Sequence, residues 1–216
     1  MKLKLPKKCK KKVDAGNVVE TPKWGDIKIR IKGKNNKVII CPQAQGKIKI
    51  NIHGDDNTVL IKSAGYLDMS IWIGVADTTC RKALFEVGER TEMNGVNFVL
   101  LENESLVTVG EDCLFSDDIE VWCSDTHSIC DLEGNILNIG KSIEIGNHVW
   151  VGRNCSITKN TKIADNSIIG WCSNVTKKFE ESNVVIAGNP AEVVKRNIDW
   201  RKDRPQTLFD KQHKTA

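Results

Sequence analysis

Residues 145–175, written in sixes, read IGNHVW VGRNCS ITKNTK IADNSI IGWCSN V, and this stretch decides the fold. Each group opens on an aliphatic residue: Ile145, Val151, Ile157, Ile163, Ile169 and Val175. Each of these is followed by a small residue, Gly146, Gly152, Thr158, Ala164, Gly170 and Thr176. A period of six belongs neither to a helix nor to simple strand alternation. Two positions before the aliphatic residues stand Ile143, Val149, Cys155, Thr161, Ser167 and Ser173, which alternation along a strand puts on the same inner face. The unit is therefore a short straight edge, a tight corner and the next edge. Three edges close a triangular turn, so the stretch makes about two turns of a parallel β-helix, for which a hexapeptide period is the sequence sign.

Upstream, a looser repeat points to the same architecture. Ile31-Lys32-Gly33-Lys34-Asn35-Asn36-Lys37-Val38-Ile39-Ile40 returns 21 residues later as Ile52-His53-Gly54-Asp55-Asp56-Asn57-Thr58-Val59-Leu60-Ile61, and Met69–Gly74 lies 21 further on. Alternating apolar residues precede each copy, and a Gly-x-x-Asn corner sits inside it. Alternation persists through Val87, Val99, Leu101, Val107 and Val109, so one solenoid is expected over about residues 25–188. Pro190 cannot donate to a ladder, so the repeat ends there. Ala191–Arg196 has the spacing of a short helix that would cap the open end, and the rest of 189–216 reads as a polar tail.

Composition narrows the setting. Net charge is +4, and the basic excess is concentrated at Lys2, Lys4, Lys7, Lys8, Lys10, Lys11 and Lys12, so residues 1–24 read as a solvated basic arm on a nearly neutral domain. That balance argues against a nucleic-acid protein. No apolar stretch follows the arm as in a signal peptide, and no run reaches the ~18 apolar residues of a membrane span. A cytoplasmic protein is expected. The eight cysteines show no CxxC pair, which disfavours a zinc site or a disulfide framework, and Cys155 falls on an inner position.

Counting in sixes backward from Ile145 gives Ile139, Glu133, His127, Val121, Phe115 and Val109. Glu133 and His127 cannot enter an apolar core unpaired, at a cost of several kcal/mol, so the chain must loop out over about residues 123–138. That excursion carries Ser124-Asp125-Thr126-His127-Ser128-Ile129-Cys130-Asp131, the densest cluster of chemically useful side chains in the sequence.

The hexad run, this cluster, His148-Val149-Trp150-Val151-Gly152 and Ala187-Gly188-Asn189-Pro190-Ala191 together resemble the left-handed β-helix acyltransferases with hexapeptide repeats. Within that family they resemble the enzymes that acetylate bacterial surface polysaccharides, sialic acid and polysialic acid O-acetyltransferases among them. The resemblance covers about residues 105–200. It implies acetyl-CoA as acyl donor, a sugar hydroxyl as acceptor, a homotrimer with the cofactor cleft between coils, and His127 as general base, a role suited to imidazole near neutral pH. The plainer alternative for His127 is a loop histidine bonded to backbone. Asp125 or Asp131 is the nearest group to orient it, although Asp is also common in turns.

The same resemblance assigns Trp150, pointing out of the coil, to the acetyl-CoA cleft, with packing against a neighbouring subunit as the alternative. Gly152 and Gly170 are expected to offer corner amides to CoA, Asn189 to border pantetheine, and Lys195, with Lys177, Lys178 and Arg196 nearby, to meet a phosphate. Where relatives commonly have Gly-Ala-Gly-Ser, this chain has Gly170-Trp171-Cys172-Ser173. Trp171 should stack one turn from Arg153, either narrowing the pantetheine path or holding adenine. The first half of the solenoid and the excursion are expected to form the acceptor wall. N-acetylation of an amino-sugar nucleotide and a non-catalytic binding or assembly solenoid are the rival readings. A three-histidine metal site is disfavoured by four scattered histidines.

Overall fold

The computed structural model describes residues 8–23 and 25–213; the arm up to Lys7, Trp24 and the last residues of the tail, 214–216, lie outside that description. The front half runs through β1 (Lys10–Val13), β2 (Val18–Glu20), β3 (Asp26–Lys32), β4 (Lys37–Ile40), β5 (Gln45–His53), β6 (Thr58–Ile61), β7 (Tyr66–Ile73), β8 (Leu84–Val87) and β9 (Glu92–Leu100). Then come β10 (Leu106–Val109), β11 (Leu114–Phe115), β12 (Ile119–Trp122), β13 (Ser142–Ile145), β14 (Trp150–Val151) and β15 (Ser156–Thr158). The series ends with β16 (Thr161–Ile163), β17 (Ile168–Ile169), β18 (Asn174–Val175), β19 (Val184–Gly188), β20 (Ala191–Arg196) and the helix α1 (Pro205–His213).

The coil-to-coil ladders are parallel and wrap a three-sided prism. The first face stacks β2, β4, β6, β8, β10, β13 and β16. The second holds β11, β14, β17, β19 and β20, and the third β12, β15 and β18. The long strands β5, β7 and β9 run across the second and third faces, and β9 pairs with both β11 and β12. Strand β1 joins the third face through β3.

The sixfold ladder is the core. Ile145 pairs with Ile163, Val151 with Ile169 and Ile157 with Val175, and all six are buried. Ile143, Val149, Cys155, Thr161, Ser167 and Ser173 are buried beside them. Each buried aliphatic side chain contributes about 1.5–3 kcal/mol. The corners place His148, Asn154, Asn160, Asn166 and Cys172, six apart, at φ between 52° and 60°, the left-handed region that asparagine enters more readily than most residues.

In the front half the 21-residue offset is the ladder register, Ile27 to Ile48 to Met69. Its Gly-x-x-Asn corners are tied by an asparagine ladder in which Asn57 Nδ2 donates to Asn36 Oδ1 at 2.9 Å and Asn36 Nδ2 to Gly54 O at 2.9 Å. Gly33 is obligatory there: φ is +130°, and an added Cβ would lie 1.9 Å from Gly54 O.

Two expectations are corrected. From Lys10 the basic segment is no solvated arm but a first coil, Lys10–Val13 pairing with Lys28–Ile31. Alternation turns Lys10 and Lys12 outward, Lys11 is exposed at the position in register with Ile29, and Val13 and Val19 pack on the core. Ala191–Arg196 is not a helix either: it folds back antiparallel on β19, where it satisfies the open backbone edge that a six-residue helix would leave bare. The helix comes later, as α1, with no buried residue. Among the described residues no helix is long and apolar enough to cross a membrane.

Candidate functional site

The excursion leaves the prism after Trp122 and rejoins at Ser142. It occupies the corner between the third and first faces, and the coils on either side of it pair directly, Val121 with Ile157 and Val109 with Ile145. Its base is pinned by Asp125, whose Oδ2 takes an ion pair from Lys159 Nζ at 2.7 Å and a hydrogen bond from Asn138 Nδ2 at 2.8 Å. Lys159 stands at the same corner one coil on. Its ammonium, then the Asn138 amide, hold the Asp125 carboxyl below the usual carboxylate range. Asn138 also donates to His127 O, and Asn160 Nδ2 to Ile139 O.

His127 is exposed, its backbone N–H donates to Asp125 O at 2.7 Å, and its ring has no hydrogen-bond partner among the described residues. Neither expected orienting group reaches it. The Asp125 carboxylate is committed to Lys159 and Asn138. That of Asp131 closes its own turn, accepting from Asn135 Nδ2 and the Asn135 and Glu133 amides. The other histidines are placed differently: His53 sits within β5, His148 is engaged on both ring nitrogens, and His213 Nδ1 lies 2.8 Å from Phe209 O.

Trp150 lies on the second face, opposite the corner that carries His127, so one chain does not bring the two together. It points outward between buried Val149 and Val151 and heads a column along the second face, Trp150 to Ile168 to Val185 to Lys195. Trp150, Ile168 and Val185 are half-buried, and Lys195 is exposed with no ion-pair partner among the described residues. Lys177 and Arg196 are already paired, with Glu192 and Glu181.

A second column runs down the corner between the second and third faces. Gly152, Gly170 and Ala187 stack there, and two residues further on Asn189 Oδ1 accepts from Asn174 Nδ2 at 3.2 Å. The two glycines do not offer their amides to a ligand as expected. Gly152 N–H donates to Ile169 O and Gly170 N–H to Ile186 O, both at 2.8 Å, because the coil ladder continues through these positions. Gly152 instead makes room for Trp171: a Cβ there would lie 2.5 Å from Trp171 Cδ1. The indole is 68% exposed beside Arg153, whose carbonyl accepts from Cys172 N–H.

The residue that sequence reasoning missed is Trp200, in the segment read as tail. It is 4% exposed, stacks on His148 at 4.2 Å between ring centroids, and approaches Trp150 at 6.1 Å. Its Nε1 donates to His148 O at 2.8 Å, while the His148 ring lies between Asp112 and Asp199 at 3.0 and 3.3 Å. Burial alone would raise the Asp112 carboxyl, but hydrogen bonds from His148 and Lys202 hold it below its ordinary value. The available signal was a lone tryptophan in a polar segment.

No family model matches the chain. A polysialic acid O-acetyltransferase of Escherichia coli O1:K1 / APEC is 35% identical over 126 residues, which are 57% of this chain and only 40% of that protein. The solved structure of the polySia-specific acetyltransferase NeuO is similar with a TM-score of 0.78 and 30% identity, over 96% of this chain and 93% of that one. That of the polysialic acid O-acetyltransferase OatWY has 27% identity over 93% and 92%, with a TM-score of 0.49. Likeness to NeuO over nearly the whole of both chains, on a prism of hexapeptide coils, places this protein in the left-handed β-helix hexapeptide-repeat acyltransferase family.

Proposed function

We propose that the protein is an acetyl-CoA-dependent O-acetyltransferase acting on a sugar hydroxyl of a bacterial surface polysaccharide or its precursor. His127 takes the hydroxyl proton as the oxygen attacks the thioester carbonyl, and the thiolate leaves with a proton returned by the imidazolium, so no acyl-enzyme forms. The polysialic acid transferases to which the chain is similar support this class of acceptor.

The setting of His127 carries the proposal: an exposed imidazole whose ring has no hydrogen-bond partner among the described residues, on a loop held by the Asp125–Lys159 ion pair. Its second ring nitrogen needs an acceptor, and Trp150 needs to meet it from another chain. Both needs are met if the site is shared between neighbouring subunits of a homotrimer. The column Trp150, Ile168 and Val185 suits the pantetheine arm, Lys195 a phosphate, Asn189 the flank of the cleft and exposed Trp171 a stacked adenine. Gly152 and Gly170 then serve by being small.

Incubation with acetyl-CoA and sialic acid polymers, followed by mass spectrometry, tests the reading. An acetyl ester on the glycan is expected; an amide product would move the acceptor to an amino sugar, and thioester turnover absent with every acceptor would leave a binding solenoid.

A further inference from the structure

The outward residues of the third face form two columns in register. In one, Lys10, Lys28 and Lys49 stack in that order and continue through Ser70 and Asn97 to Glu120, whose Oε2 is taken up by hydrogen bonds from Asn97 Nδ2 and Trp122 Nε1 at 2.8 and 2.6 Å. In the other, Lys12 and Arg30 lead through Asn51 to Trp72, and Val99 then meets Trp122. None of these five cations has a carboxylate partner among the described residues, unlike Lys47, which is bonded to Asp68 at 2.7 Å. Like charges stacked one strand spacing apart repel each other, so the arrangement is stable in salt but poised for an anion.

The cations surround a cleft of about 310 Å³. Asn51 lines it, is 8% exposed, and its Nδ2 has no acceptor. His53, in the same strand, is pushed below its ordinary value first by burial and then by the charges of Lys32 and Arg30. Beyond the cations the columns change character. Lys49 Nζ lies 4.4 Å from the centre of the Trp72 ring, Trp122 is 36% exposed, and the chain that follows Trp122 is the loop carrying His127. From β1 to β12 the face spans five strand spacings, about 24 Å.

We propose that this face is the acceptor track. An extended, negatively charged glycan lies along it, its acidic groups on Lys10, Lys12, Lys28, Arg30 and Lys49 and its sugar rings on Trp72 and Trp122, with its leading end at His127. The assignment rests on the O-acetyltransferase reading and names its acceptor class: an extended acidic glycan whose sugar rings present apolar faces. A nucleic acid fits less well. The cationic strip is only two outward residues wide, and past Lys49 its columns lead to Trp72 and Trp122 instead of to the further cations that a phosphate backbone would need.

The test uses the full chain with sialic acid polymers of graded length, titrated calorimetrically without acetyl-CoA and then assayed for acetyl transfer. The variant K28Q/R30Q/K49Q is expected to weaken binding of long polymers at least tenfold and to flatten the salt dependence. It should raise their KM to the same extent while kcat and transfer to a two- or three-sugar acceptor stay within twofold. The charge-preserving K28R/K49R should bind as the parent does. Unchanged binding and KM in the glutamine variant overturn the track, as does equal affinity for duplex DNA or phosphatidylserine vesicles. Polymer binding that depends on these cations in a chain that transfers no acetyl group sinks the enzyme reading and leaves the binding face standing.

Discussion

At the scale of the residue, Gly152 and Asp125 serve the site through geometry. An alanine at 152 sets its Cβ 2.5 Å from Trp171 Cδ1 and 2.9 Å from both Ile169 O and Trp171 N. Gly152→Ala is therefore expected to lose about 1–3 kcal/mol in urea unfolding. Adding Trp171→Ala should restore only part of it, since the backbone contacts remain. Asp125 holds the loop through Lys159 and Asn138, and its carboxylate makes no hydrogen bond to the His127 ring. Because its bond to Lys159 is partly exposed, an ion pair of this kind contributes about 1 kcal/mol or less. Asp125→Asn and Lys159→Met should then barely move the melting temperature, yet lower kcat for acetyl transfer by similar factors. Full kcat in both would show that His127 is placed by something else.

At the scale of the element, the strap from Ile198 to Lys202 ties the end of the chain back onto the second face. Trp200→Ala removes the stack on His148 and the flank of Trp150 and is expected to cost about 3 kcal/mol, with a raised KM for acetyl-CoA. A variant of parental stability and KM would contradict the packing. The hexad edges and the 21-residue repeats were legible in the sequence because a buried face repeats with the coil, so position alone identifies core residues such as Ile157 and Cys155. The excursion was legible as a failure of that period at Glu133 and His127. Strand β20 was not, because six residues with two adjacent valines suit either helix or strand, and the open edge of β19 decides between them. The engaged amides of Gly152 and Gly170, the Lys159 partner of Asp125 and the docking of Trp200 all depend on coils stacked far apart in sequence.

At the scale of the whole molecule, the prism buries four thiols and leaves Cys130 and Cys172 exposed. Burial pushes Cys80 and Cys113 up to about 11 and Cys123 to about 12, and raises Cys155. A folded pKa above the unfolded value near 9 means that these neutral thiols contribute their full stability below about pH 9 and lose it as pH rises towards 11–12. Circular dichroism should show alkaline unfolding in that window, and a thiol reagent at neutral pH should label Cys130 and Cys172 well before the buried four. Sharing of the site between subunits is checked by refolding inactive His127→Ala and Trp150→Ala chains together, when mixed trimers should regain part of the parental rate. The central claim, acetyl transfer to a sugar hydroxyl with His127 as base, is tested most directly by following CoA release and ester formation on sialic acid polymer with the parent and His127→Ala. A fall of about 10²–10⁴-fold in kcat, with folding and trimer retained, is the predicted result; a variant that makes the ester at the parental rate would contradict it.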